Sequence, residues 1–146
     1  MLISLTALVV ASFAAKSAGI AFNVSESMPD ITYRVGHGEK GSVVSFCTPI
    51  PHPALLRGTC PDSSMPLLKR VAGVAGDVVR TTDAGTKING VFIVNSRPLD
   101  LDSSGKALPH LRGEFRLKKG EIWAAGEHSN SFDSRYFGPV TITLLR

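Results

Sequence analysis

The chain has 146 residues, a length that supports one core with appendages rather than two domains. Hydrophobic residues make up 43% and charged residues 19%, a balance that can bury apolar surface and so excludes a wholly disordered chain. The net charge of +4 is scattered among alternating acids and bases, and no basic face marks a nucleic-acid partner.

From the N-terminus, MLISLTALVVASFAA carries no charge; Lys16 follows, and SAGIAF extends the apolar character to Phe22. Such a segment can cross a hydrocarbon core of about 30 Å as a helix if Lys16 snorkels towards the interface. A membrane anchor is therefore expected over residues 1–22, followed by one domain over 23–146. A secretory signal peptide cleaved near SFAA and a buried soluble helix are the alternatives. No basic residue precedes the segment, so charge does not fix its orientation.

The polar stretch NVSESMP follows at 23–29. Read as an extended segment, it points Asn23, Ser25 and Ser27 one way and Val24, Glu26 and Met28 the other. Two hydroxyls then face one spot, and Pro29 stiffens the exit and fixes the direction of the Ser27 N–H. That arrangement suits a serine nucleophile with two donors for a developing oxyanion. A plain linker between anchor and domain has the same composition.

Cys47 and Cys60 bracket CTPIPHPALLRGTC, a Pro-rich excursion spanning 47–66 with little regular structure of its own. A disulfide would pin its base and would imply an oxidising compartment. Zinc held with His52 and a pair of unbridged buried thiols are the other readings; the spacing matches no established zinc motif.

Short strands are expected at SVVSFC, LLKRVAGV, GDVVRT, TKINGVFIV, GEFRL, GEIWAAG and PVTITLL, each β-branched or aromatic and each ended by a turn residue. Asn89-Gly90 marks a hairpin, and LKKGEIW suggests another. The run LDLDSSGKALPHLRG reads as an irregular connection. The domain is expected to be mainly β, antiparallel and barrel-like.

Within LLKRVAGV, strand alternation puts Lys69 on the apolar face with Leu67 and Val71, while Arg70 turns away. Burial lowers a lysine's pKa and makes it a usable general base, which arginine cannot become. An edge lysine with a packed stem and a hydrated head is the structural alternative. Nearer the C-terminus, GEHSNSFDSRYFG crowds Ser131, Asp133 and Arg135 into a turn-rich cluster that could orient a buried lysine or simply satisfy itself. A triad of Ser27, His128 and Asp133 is the other assembly these residue types allow, though nothing further specifies His128.

In order, S-x-S-M-P, LLKRVAGVAGD and NSFDSRYFG resemble the three sequence boxes of bacterial type I signal peptidases, the membrane-bound Ser/Lys proteases. The details are most similar to the TraF branch, the conjugative-transfer peptidases that mature pilin subunits. Pro29 follows Met28 directly, as in the branch's N-x-T/S-x-S-x-P-x-G-x-Y, and Asn23 and Tyr33 fit the same frame; Ile31 stands where that frame has glycine. The segment before Asp133 reads GEHSNS where leader peptidases carry GDNRDNS.

The resemblance implies a signal-peptidase/LexA-like antiparallel β fold behind an N-terminal transmembrane helix. It also implies Ser27 as nucleophile, Lys69 as general base and Ser25 as oxyanion donor, with Ser131 hydrogen-bonding the lysine. Asp133 and Arg135 would support the site, the aspartate being essential in that branch; Gly76 and Asp77 would make a turn. It implies no cofactor and no metal. The expected partners are a precursor polypeptide such as a pro-pilin, membrane lipid and components of a conjugation or type IV secretion apparatus. The expected location is the inner membrane, with the catalytic domain in the periplasm. A general signal peptidase and a catalytically silent anchored β module are the competing readings.

Overall fold

A computed structural model describes residues 19–51 and 56–144. Most of the segment expected to be an anchor, with Lys16, lies outside the described residues, as does His52. The end of that segment is not helical. Ile20–Phe22 forms a strand, β1, paired antiparallel with β2, Thr32–Arg34. These three residues, expected at the end of the anchor, belong to the sheet, which uses their peptide groups. Among the described residues, no helix is long and apolar enough to cross a membrane.

Two four-stranded antiparallel sheets make up the rest. One contains β3 (Val43–Phe46), β4 (Leu67–Gly73), β9 (Glu121–Ala125) and β10 (Val140–Thr141), in the order β10-β9-β4-β3. The other contains β5 (Val78–Thr82), β6 (Gly85–Ile88), β7 (Val91–Phe92) and β8 (Gly113–Arg116), in the order β7-β6-β5-β8. The mainly β, antiparallel expectation is met.

Strand β4 carries the design of the domain. Its residues alternate strictly, with Leu67, Lys69, Val71 and Gly73 buried, as the period-2 pattern of LLKRVAG demands. Leu67 and Val71 join Val44, Phe46, Ile122, Ala124 and Val140 in the main core, to which Phe132 and Phe137 add their rings. A second core of Val79, Ile88, Leu117 and Trp123 lies beyond it. Gly73 packs against the second core: a Cβ there would lie 3.1 Å from both Ile88 Cδ1 and Leu117 Cδ1 and 3.3 Å from Trp123 Cβ. A side chain there would push these neighbours back by a few tenths of an ångström.

The turn after β4 is built by Asp77, as expected of that box. Its Oδ2 accepts from the Val74 N–H at 3.0 Å and from Lys40 Nζ at 2.9 Å, and its Oδ1 accepts from Asn89 Nδ2 at 2.8 Å. The Val74 amide, followed by the Lys40 ammonium, holds the Asp77 carboxyl below its ordinary pKa. The hairpin of β6 and β7 turns on Asn89 and Gly90, both at positive φ (49° and 84°), as predicted.

Two expectations change. LKKGEIW makes a tight turn, with the Glu121 N–H donating to the Lys118 carbonyl, but not a hairpin: β8 pairs with β5 and β9 pairs with β4 and β10. The turn carries the chain from one sheet to the other, a long-range choice that no local signal announces. PVTITLL forms strand only at Val140–Thr141 and then tightens into a 3-10 turn, Ile142–Leu144. The run from 99 to 112 is irregular apart from one bridge between Leu101 and Ala107, as expected. Cys47 and Cys60 are joined in a disulfide.

Asn89→Ala should lower stability by about 2 kcal/mol, by combining the left-handed backbone penalty with loss of the side-chain bonds to Val78 and Asp77. Asn89→Gly, which keeps the turn, should fall between Asn89→Ala and the unaltered chain. Urea unfolding measures both, and equal stabilities for the two variants would contradict this account of the hairpin.

Candidate active site

Ser27 lies in a turn and not, as the sequence suggested, in an extended segment. Ser27 and Met28 are consecutive and both buried, which alternation forbids. The turn is held by the Asn23 side chain. Its Nδ2 donates to the carbonyls of Met28 (2.8 Å) and Asp30 (3.1 Å), and its Oδ1 accepts from the N–H and the hydroxyl of Ser25, each at 3.1 Å. Tyr33 accepts the Asp30 N–H on its phenolic oxygen at 2.7 Å, while Met28 is buried against Tyr33, Val43 and Leu68. The two serine hydroxyls do meet, at 2.8 Å, but through this curl and not through strand periodicity.

Lys69 reaches the same place from β4. Its side chain is 2% exposed, and Nζ lies 2.7 Å from Ser27 Oγ. Burial is the main cause of its lowered pKa, about 8 in place of 10.5; the Asp133 carboxylate pulls it back upwards and the Arg135 guanidinium pushes it further down. Ser27 Oγ is thus held between a lysine that sheds its proton readily and the Ser25 hydroxyl.

The third segment supplies support. Asp133 and Arg135 are both almost fully buried and form a two-point pair, with Arg135 Nε to Oδ1 at 2.8 Å and Nη2 to Oδ2 at 2.9 Å. The carboxylate also accepts the N–H groups of Gly126 (2.9 Å) and Arg135 (3.1 Å), the latter as N-cap of the short helix α1, Ser134–Phe137. The remaining guanidinium nitrogen donates to three carbonyls, those of Asn95 (2.8 Å), Ser129 (3.0 Å) and Arg97 (3.2 Å). One ion pair therefore ties the segment after β9 to the loop after β7, and its lone pairs and protons are used as a buried pair requires.

Two sequence expectations are corrected. Ser131 Oγ is buried but makes no hydrogen bond among the described residues, so the contact with Lys69 that the resemblance implies is not made. His128 is exposed and shares its Nδ1 with Asn130 at 2.6 Å, while Ser27 and Asp133 have Lys69 and Arg135 as partners; the Ser-His-Asp triad is not assembled.

Sequence reasoning passed over the residues that seat the turn. The Glu127 N–H donates to the Ser27 carbonyl at 2.9 Å, and Glu127 is itself held by ion pairing with Arg70 at 2.7 Å and by Asn95 Nδ2 on its carbonyl at 2.9 Å. Gly126 has no room for a side chain: a Cβ would strike the Ser131 hydroxyl and come within 3.1 Å of the Ser27 carbonyl. The glycine closing GEIWAAG was a visible signal, read only as a strand terminator. Among the described residues no group of histidines, cysteines and carboxylates could hold a metal ion.

The chain is similar to several known proteins. The family described as signal peptidase, peptidase S26, matches residues 2–145. A plasmid transfer protein TraF of Escherichia coli is 35% identical, across 91% of this chain and 84% of the relative. A conjugal transfer protein TraF of Agrobacterium tumefaciens is 30% identical, across 87% and 78%. Signal peptidase I V of Bacillus subtilis is 33% identical over about half of each chain, 51% and 49%. A crystal structure of a signal peptidase I from Enterococcus faecalis overlaps 77% of this chain and 96% of that one, at 19% identity and a TM-score of 0.42.

Arg135→Met would leave the Asp133 carboxylate buried without its cation. It should cost about 3–5 kcal/mol in denaturant unfolding, and a loss below 1 kcal/mol would show that the pair does not hold the segment.

Proposed function

The chain belongs to the signal peptidase S26 family, and from that premise we propose that it is a serine endopeptidase cutting a secreted or membrane-inserted precursor with Ser27 and Lys69. The observation that carries this reading is the 2.7 Å contact between the Ser27 hydroxyl and a lysine amine whose proton is loosened by burial.

The chemistry follows from the proton inventory. With a pKa of about 8, Lys69 is neutral in about one molecule in ten at pH 7, enough to act as a base. The neutral amine accepts the Ser27 proton and Oγ adds to the scissile carbonyl. The oxyanion so formed draws on the Ser27 N–H and the Ser25 hydroxyl, which already stands 2.8 Å from the attacking oxygen. Collapse expels the amine of the leaving segment, which takes the proton from the Lys69 ammonium. Water, or an amine of the substrate itself, then resolves the ester. Asp133 and Arg135 touch no reacting atom in this scheme; they position the segment that holds the Ser27 carbonyl and set the field around Lys69.

The substrate we infer is a precursor of a conjugation apparatus, a pilin subunit above all. Relatives carrying plasmid and conjugal transfer names match most of the chain, whereas the B. subtilis signal peptidase matches about half. The disulfide supports a domain outside the cytoplasm, where such bonds persist. The apolar segment before Ile20 would tether it in the same membrane as its substrate, which raises their effective concentration.

Ser27→Ala and Lys69→Ala should each cut turnover of a co-expressed pro-pilin by at least about 10³-fold, read as the intact mass of the product, with unchanged thermal unfolding for Ser27→Ala. In the unaltered protein kcat/KM should rise about tenfold per pH unit towards pH 8 and level above it, because the base is the deprotonated amine. Full activity in either variant, or a profile flat from pH 6 to 9, would refute the dyad.

A further inference from the structure

Lys69, Ser27, Ser25 and Asn23 form a row of polar atoms that ends on a group able only to accept. Lys69 Nζ lies 2.7 Å from Ser27 Oγ, Ser27 Oγ lies 2.8 Å from Ser25 Oγ, and Ser25 Oγ lies 3.1 Å from Asn23 Oδ1. The orientation of the Asn23 amide is set by its other contacts. Its Nδ2 donates to the carbonyls of Met28 and Asp30, and its backbone N–H donates to the Ile31 carbonyl at 2.7 Å, so Oδ1 is turned towards Ser25 and held there.

Each hydroxyl in the row has one proton to give. While Lys69 is charged it donates to Ser27, Ser27 donates to Ser25, and Ser25 donates to Asn23, so every link is made. That polarity is unreactive: the Ser27 proton points away from its base, and the Ser25 proton points away from the place of the oxyanion. Once Lys69 is neutral, its lone pair takes a hydrogen bond from Ser27 and Ser27 Oγ accepts from Ser25. Asn23 Oδ1 then keeps only the Ser25 N–H, at 3.1 Å. The two polarities differ by one bond, that from the Ser25 hydroxyl to Asn23.

We propose that Asn23 is a positioning residue of the reaction: its side-chain oxygen holds the Ser25 proton while Lys69 is charged and releases it when Lys69 is neutral, so that the oxyanion donor turns to the site in step with the base. The inference rests on the peptidase reading above. Asn23 touches no reacting atom and acts through Ser25. Because its bond to the hydroxyl exists only in the charged polarity, Asn23 favours the ammonium and works against the burial that loosens the Lys69 proton. The charged groups that act on Lys69, Asp133 and Arg135, belong to another segment, so substitutions at positions 23 and 25 leave them in place.

The test is the pH dependence of Ser27 labelling by a small fluorophosphonate, which needs the neutral amine but no precursor. In the unaltered chain the rate should rise through a midpoint near pH 8. Asn23→Ala should lower that midpoint by about half a pH unit, the scale of one solvent-accessible hydrogen bond. Ser25→Ala, which keeps both Nδ2 bonds of Asn23, should lower it equally, and the double variant should fall no further than Ser25→Ala alone. A purely structural Asn23 gives the opposite sign: opening the turn would wet Lys69 and raise the midpoint towards that of a free lysine, with or without the Ser25 hydroxyl. An unmoved or raised midpoint in Asn23→Ala, or a further fall in the double variant, would overturn the role of Asn23 and leave the peptidase standing. If Asn23→Ala fails to fold, Ser25→Ala decides alone, and an unmoved midpoint there overturns the inference. No labelling of the unaltered chain at Ser27 would overturn both.

Discussion

The structure depends on a lysine placed where lysines are expensive. Lys69 occupies an inward position of a core strand, between Leu67 and Val71, and there the charged form loses most of its hydration. A strand that merely needed stability would carry an aliphatic residue at that place. The cost is offset only in part, by the field of Asp133, and Arg135 works against it. The result is an amine with a pKa lowered to about 8 within hydrogen-bond reach of a serine hydroxyl, which is what general-base catalysis at ordinary pH needs and what an exposed lysine lacks.

Everything around the pair serves to keep it assembled. Ser27 and Lys69 are 42 positions apart, so their meeting requires two unrelated segments to arrive together. Strand β4 is fixed by neighbours on both sides, β3 and β9. The turn is fixed by Asn23, by buried Met28 and by the Glu127 N–H. The segment containing Glu127 is in turn clamped through Gly126 to the Asp133 carboxylate, and the Asp133–Arg135 pair fastens it to the loop beyond β7. A buried ion pair is a poor source of net stability, but it is directional; here it relates three chain segments to one another.

Much of this was legible in the sequence because it is periodic or chemically forced. LLKRVAG alternates, so Lys69 had to share a face with Leu67 and Val71. Asn89-Gly90 prefers positive φ, so the hairpin had to turn there. The two serines were seen to converge, but for the wrong reason: a side chain–backbone network from Asn23 overrides strand alternation in a stretch too short to belong to a sheet. The false hairpin at LKKGEIW failed because a tight turn does not say whether the next strand pairs with the last one. The roles of Gly126 and Glu127 were illegible because they act through backbone groups, which carry no side-chain signature. Ser131 illustrates the reverse case, a residue whose position in the motif implies a contact with Lys69 that the packed structure does not make.

The central claim is that Lys69 is a base because it is buried. Nuclear magnetic resonance of the protein with isotopically labelled lysine, titrated from pH 6 to 11, reads the side chain directly through its ε-methylene shift. The account predicts one lysine, identified by its absence in Lys69→Met, that titrates near pH 8. A Lys69 signal titrating near 10.5 would mean an amine still charged at the pH of the reaction, and the proton-transfer mechanism would fall with it.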